Sequence, residues 1–242
     1  MLAWFESLKA DFILNFVQAN RWKYLMQGLG TTLTITLLAG VLGIAIGIVI
    51  AMIRSTYDKT RDGARMTVGR RIFAVLDGFC RVYLTVLRGT PVVVQLMIIY
   101  FFIFASSDYG TKVAALAFGL NSGAYVAEIV RGGIMSIDNG QFEAGRSLGF
   151  NYVQTMRFII IPQTIKNVLP SLANEFIALL KETSVAGYVA VQDLTKGGDI
   201  IRSRTFSPLL PLLAVAMIYL ALVMFFSSLV SRLERRLRNS DH

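Results

Sequence analysis

The sequence predicts an all-α, polytopic membrane protein, and three observations carry that fold class. The 242 residues are 55% hydrophobic with a mean hydropathy of +0.58, more apolar than a soluble domain usually is. Several runs proceed without charge for about twenty residues, the length that crosses roughly 30 Å of hydrocarbon. Those runs do not alternate apolar and polar residues, as the strands of a membrane β-barrel do.

The rest of the composition removes function classes. The net charge of +9 fits Lys and Arg gathered in cytoplasmic loops as orientation signals, so no nucleic acid partner is expected. Cys80 is the only cysteine and His242 the only histidine, which rules out an intrachain disulfide and leaves no metal site and no H-E-x-x-H. No serine has a histidine to activate it and there is no G-x-S-x-G elbow, so no catalytic residue is assigned. The P-loop pattern G-x-x-x-x-G-K-[ST] is missing, so the chain itself is expected to hold no ATP in that manner and no other cofactor. The first residues, M-L-A-W-F-E-S-L-K-A-D-F, lack a basic n-region and do not read as a cleavable signal peptide.

Residues 1–27 place Leu2, Trp4, Phe5, Leu8, Phe12, Ile13, Phe16 and Val17 at helical spacing among charges. That pattern predicts an amphipathic helix on the membrane surface, with Trp4 and Trp22 at the interface. The first span is 33–53, where Gly43 and Gly47 let a neighbouring helix approach closely. Residues 54–71 form a loop with Arg54, Lys59, Arg61, Arg65, Arg70 and Arg71, placed in the cytoplasm by the positive-inside rule, with the N-terminus outside. Residues 72–107 are too long for one simple span, and Gly89-Thr90-Pro91 predicts a broken helix there. Residues 112–137 span again. Residues 138–155 return the chain along the cytoplasmic surface as helix-compatible sequence, and 158–180 is the fourth span. A polar re-emergence at 181–206 precedes the fifth span at 208–230, and the Arg-rich tail, with a final segment at 237–242, ends in the cytoplasm. The expected organisation is thus a surface helix (1–27), a five-span domain (28–236) and a short tail.

Charged residues inside spans are the default site candidates, because burying them unpaired costs several kcal/mol. Asp77 and Arg81 are four apart and Glu128 and Arg131 three apart, so each couple can pair on one helix face as a structural ion pair. Glu175 has no cation at three or four residues on its own helix. Its partner must come from another helix, a second subunit, water or a transported molecule. Ser171, Asn174, Glu175 and Ala178 share one polar, small-residue face suited to a hydrophilic path.

The stretch Glu143-Ala144-Gly145-x-x-x-Gly149, followed after nine residues by Ile159-x-Ile161-Pro162, resembles the E-A-A-x-x-x-G-x9-I-x-L-P motif of importer permeases of the ATP-binding-cassette (ABC) class. Gly145 and Ile161 are mild departures. Leu87-Arg88-Gly89-Thr90-Pro91 with Gln95, Ala124-Tyr125 through Glu128, Arg131-Gly132-Gly133, Gly140-Gln141 and Lys181-Glu182-Thr183-Ser184 narrow the resemblance to polar amino acid permeases of the histidine, glutamine, arginine and opine type. It covers roughly residues 28–236.

That resemblance implies a permease subunit in a bacterial inner membrane. Two such subunits, identical or paralogous, would form the path. Two separate ATPase subunits would dock below and bind the ATP and Mg, and an extracytoplasmic solute-binding protein would deliver an amino acid from above. Glu143, Ala144, Gly145, Arg146 and Gly149 would belong to a coupling helix seated on the ATPase, the two glycines allowing close approach to it. Glu175, Asn174, Ser171, Gln95 and Thr90 are the candidates for the substrate path. Two other readings compete: an ion-coupled secondary transporter using Glu175 and Asp77, disfavoured by the lack of an internal repeat, and a non-transporting scaffold.

Overall fold

The structure, a computed structural model, describes residues 2–60 and 68–238. Among them every regular element is helical: α1 (Leu2–Phe12), α2 (Trp22–Thr60), α3 (Val68–Gly89), α4 (Val92–Ile98), α5 (Gly110–Met135), α6 (Asn139–Ser147), α7 (Tyr152–Thr155), α8 (Ile161–Glu182), α9 (Leu194–Thr205) and α10 (Leu209–Arg238), joined by short π and 3-10 turns. Three stretches are long and apolar enough to cross a membrane alone, Trp22–Asp58, Gly110–Met135 and Leu209–Leu237. The broken pair Arg71–Gly89 and Val92–Ile103 qualifies as a further one when taken together. The break falls at Thr90–Pro91, where proline removes a backbone donor and disfavours helix before it.

The chain divides into two compact units. The first comprises Met1–Ala39, Val92–Phe118 and Ile177–Ser228, the second Gly40–Pro91, Gly119–Phe176 and Leu229–His242.

In the first unit, the predicted surface helix over 1–27 is shorter. α1 stops at Phe12, a π turn (Ile13–Val17) and a 3-10 turn (Gln18–Asn20) follow, and Trp22 already begins α2. Ala19 and Asn20 are left-handed at φ 54° and 52°, and Arg21 folds back to donate to the Leu14 carbonyl. Buried Asn15 fixes this reversal: it donates to Ser207 Oγ at 3.1 Å and accepts from Thr205 Oγ1 at 2.8 Å. Neither bond can be inferred from helical periodicity. Leu8, Phe12, Ile13 and Val17 are exposed.

Residues 181–206 are more ordered than a polar excursion. α8 runs on to Glu182, a 3-10 turn covers Thr183–Val189, and α9 follows. Asp193 caps α9 by accepting from the Lys196 amide at 2.8 Å, satisfying a donor that the helix start leaves free. Burial pushes the Asp193 carboxyl up to about 6. Thr32 Oγ1 accepts from the Leu194 amide at 3.0 Å, which ties α9 to α2. Leu194 and Ile201 then pack on Leu25 and Val215 as the core of this unit.

In the second unit, α2 and α5 cross at van der Waals distance. A Cβ on Gly47 would lie 2.4 Å from the Val126 side chain, and one on Gly119 2.8 Å from Leu42. Small residues permit this approach where lipid offers no hydrophobic drive for association. Ile50, Cys80, Leu84, Ala124 and Ala127 form one apolar cluster here. A second gathers Val126, Val130, Ile134, Phe142, Met156 and Ile160.

Of the two ion pairs expected in this unit, Asp77–Arg81 forms and Glu128–Arg131 gives way to other partners. Arg54 is not a loop charge, since α2 carries it and continues to Thr60. Its Nε lies 3.4 Å from Asp77 Oδ1 and its NH1 2.9 Å from Glu128 Oε1. Asp77 also takes Arg81 at 2.7 Å, and Arg88 lies 3.7 Å from Glu128. Arg131 reaches Asp58 at 2.7 Å. The local Glu128–Arg131 couple is therefore replaced by partners on α2 and α3, because helix crossings bring those charges closer than the three-residue spacing does. Arg61 and Arg65 of the basic loop, and residues 239–242 of the tail, lie outside the described residues. Removing one partner of a buried ion network costs about 3–5 kcal/mol. Arg54→Gln is therefore expected to destabilise the protein by about that much, read as a lower midpoint in detergent-titration unfolding. Arg81→Gln, whose side chain is 53% exposed, is expected to cost about 1 kcal/mol or less.

Candidate functional site

Two sets of candidate residues fall in the second unit. One lies on α8, which is not among the three self-sufficient spans because its composition is mixed. Lys166, Asn167, Ser171 and Asn174 are exposed along it and Glu175 is half-buried. Pro162 follows directly on the π turn Met156–Ile160, where the hydrogen-bond register is already shifted. Pro170 lies within the continuous helix.

Ser122 Oγ donates to Glu175 Oε1 at 2.9 Å. Ser122 is buried where α2 and α5 cross, 3.2 Å from a Cβ built on Gly43. The carboxylate is thereby held from α5 as well as α8, which answers part of the question its own helix left open. Ser122 was not among the predicted site residues; the polar triplet Asn121-Ser122-Gly123 inside an apolar span was its only signal. Asn121 Nδ2 donates to the Leu87 carbonyl at 3.1 Å, and Thr90 Oγ1 to the Val86 carbonyl at 2.8 Å. Both polar groups thus brace the end of α3 where the helix breaks. Gln95 is buried on α4, in the first unit.

The second set is the segment 138–155. Asp138 caps α6 by accepting from the Gly140 amide at 2.6 Å. The helix ends in a Schellman turn: the Gly149 amide donates to the Arg146 carbonyl at 2.9 Å and the Phe150 amide to the Gly145 carbonyl at 3.0 Å. Gly149 has φ +77°, the left-handed position that this turn reserves for glycine. Asn151 and Gln154 close a capping box on α7, so both ends of the excursion are fixed.

The glycines have reasons inside the chain rather than at a partner. Gly149 shapes the turn. Gly145 is buried, and a Cβ there would lie 2.6 Å from Thr155 Oγ1 and 2.7 Å from its methyl carbon. Gly145→Ala is expected to cost about 1–3 kcal/mol by overpacking. Adding Thr155→Ala is expected to return most of it, a coupling that a double-mutant cycle of thermal stabilities measures.

Glu143, Ala144, Arg146, Ser147 and Leu148 are exposed along α6. Glu143 and Arg146 border a cavity of ≈ 460 Å³ with Phe142, Tyr152 and Thr155. Buried Tyr152 Oη lacks a hydrogen-bond partner among the described residues. A short helix capped at both ends, with charged residues outward and Phe142 inward, is a rigid knob that a second protein can grip.

The family of binding-protein-dependent transport system inner membrane components matches residues 63–239. The arginine transport system permease protein of Bacillus subtilis (strain 168) is 34% identical over 224 residues, covering 90% of this chain and 94% of that protein. The glutamine transport system permease protein of Escherichia coli (strain K12) is 37% identical over 201 residues, covering 73% and 92%. Among solved structures, an amino acid ABC transporter crystallised with histidines superposes with a TM-score of 0.78 at 37% identity, covering 91% of this chain and 97% of that one. On the match across residues 63–239 and on these relatives, the chain belongs to the family of binding-protein-dependent transport system inner membrane components.

Proposed function

We propose that this chain carries a polar amino acid along the face of α8 bearing Ser171, Asn174 and Glu175; Thr90 and Gln95 are further candidates for contact with the cargo. The chain is a permease subunit of an ABC importer in the inner membrane, and hydrolysis of ATP belongs to separate ATPase subunits. The cargo class is suggested by relatives named for arginine and glutamine transport. The observation that carries the path is Glu175, a carboxylate held by Ser122 at 2.9 Å on a helix whose exposed face is polar. Such a face is costly against lipid and favourable around a hydrated solute. A single acid there can hold the α-ammonium of an amino acid.

In this reading α2, the broken pair α3–α4, α5, α8 and α10 are five spans, with the N-terminus outside and the C-terminus cytoplasmic. A second permease subunit, identical or paralogous, completes the path. A solute-binding protein delivers cargo from outside. The ATPases, holding ATP and Mg, grip α6 through Glu143, Ala144 and Arg146, while Gly145 and Gly149 keep that helix in shape. Closure of the ATPases moves the α6 knob and shifts the balance between two global states of the spans.

The experiment is copurification after coexpression with the ATPase, followed by ATPase assays in liposomes. Cargo with binding protein is expected to stimulate hydrolysis, and a complex that forms but ignores cargo would reject the assignment.

A further inference from the structure

The first unit contains a cavity of ≈ 370 Å³ between the 3-10 turn after α8, the start of α9 and the first turn of α10. None of its lining residues belongs to the path or to the α6 surface. Its centre is a charge cluster. Asp199 accepts from Lys196 Nζ at 3.1 Å and from Arg202 Nε at 3.0 Å. Arg202 first and Lys196 next hold the Asp199 carboxyl below its usual range, so it stays ionised and keeps both cations in place. The three groups sum to one net positive charge. The two cations retain N–H donors beyond those given to Asp199, and the Ser184 and Thr195 side chains line the same space.

Three features say what would fill it. The single carboxylate is already engaged by two cations, so the donors left over suit an anion and not an ammonium group. Arg and Lys together match phosphate oxygens: Arg202 offers the N–H groups left over by its Nε and NH2 bonds to Asp199, and the Lys196 ammonium is a point charge. One wall is Leu212, in the first turn of the membrane stretch Leu209–Leu237. The cavity therefore lies beside the start of a stretch apolar enough to enter a membrane. Tyr188 at 68% and Phe206 at 90% exposure stand in the same unit, as aromatic rings do at a membrane interface.

We propose that this cavity is a binding site for the phosphate headgroup of an anionic phospholipid, with Lys196 and Arg202 on the phosphate and an acyl chain running along α10 from Leu212. Asp199 is the positioning residue that fixes the two cations. α9 is clamped to its neighbours by close contacts, since a Cβ on Gly197 would lie 2.5 Å from the Tyr24 carbonyl oxygen and one on Gly198 2.5 Å from Val215. A lipid at its mouth would thus bear on a rigid element.

The test is native mass spectrometry of the assembled transporter, taken from vesicles of equal phosphatidylglycerol and phosphatidylcholine. The native chain is expected to retain phosphatidylglycerol preferentially. Lys196→Gln/Arg202→Gln is expected to lower that retention about tenfold, equivalent to about 1.4 kcal/mol, while Lys196→Arg keeps it. Should the double variant fail to assemble, Lys196→Gln alone, at a side chain 37% exposed, is read against the same criterion with about a threefold loss expected. Equal retention of the two lipids, or undiminished phosphatidylglycerol on the charge-removed variant, overturns the proposal. Millimolar inorganic phosphate is expected to leave the lipid in place. Its displacement by phosphate would instead assign the cavity to a free anion and reject the lipid.

Discussion

Glu175→Gln is expected to lower amino acid uptake at least about tenfold, equivalent to about 1.4 kcal/mol, with the transporter still assembling. The substitution is nearly isosteric, and the Gln carbonyl can still accept from Ser122, whose bond to Glu175 is 2.9 Å long. What is lost is the charge. A charge-assisted contact to a cargo ammonium is roughly twice as strong as a neutral one, so the effect falls on transport more than on folding. Ser122→Ala provides the contrast: it removes a donor worth about 1 kcal/mol and leaves the carboxylate charged, so its effect on uptake is expected to be smaller. Uptake assays in liposomes and copurification of the ATPase separate the two. Undiminished uptake by Glu175→Gln would remove this residue from the path.

Glu143→Lys is expected to reduce copurified ATPase about tenfold or more, with the permease still folded. Glu143 is exposed on α6, while Phe142 beside it is buried. The helix is fixed by its Asp138 cap and its Schellman turn, so reversing an outward charge should leave its backbone intact. Placing like charges across an interface costs several kcal/mol, which is enough to separate subunits. The reading is the amount of ATPase per permease after affinity purification, with thermal stability as the folding control. Full retention of the ATPase would show that α6 is not its grip.

Elements that depend on composition alone were legible in the sequence. α2 and α10 announce themselves by uncharged length, α5 by an apolar run between Lys112 and Glu128, and Pro91 marks the break that separates α3 from α4. The excursion over 138–155 read as helix-compatible, and α6 and α7 lie within it. What periodicity could not reach is the set of partners supplied by other helices. Spacing of three suggested a Glu128–Arg131 couple, whereas the fold gives Glu128 to Arg54 and Arg131 to Asp58. Gly145 read as a place for a partner to approach, yet Thr155 of the same chain already occupies that space. Residues 181–206 looked like a polar excursion because α9 buries only Leu194, Gly197, Gly198 and Ile201, a stripe too thin to stand out against the apolar runs on either side. Glu175 stood out for lacking a local cation, and its bond to Ser122 depends on α5 and α8 meeting, which spacing along one helix does not reveal.

The central claim is that this chain moves its cargo only when a separate ATPase drives it. The most direct measurement is uptake of labelled arginine, glutamine and histidine into proteoliposomes containing the chain and its ATPase, with solute-binding protein outside the delivery face and ATP on the ATPase side. Uptake of at least one of these amino acids is predicted, abolished when ATP, the ATPase or the binding protein is left out. Uptake that persists without the ATPase and follows an imposed ion gradient would contradict the account.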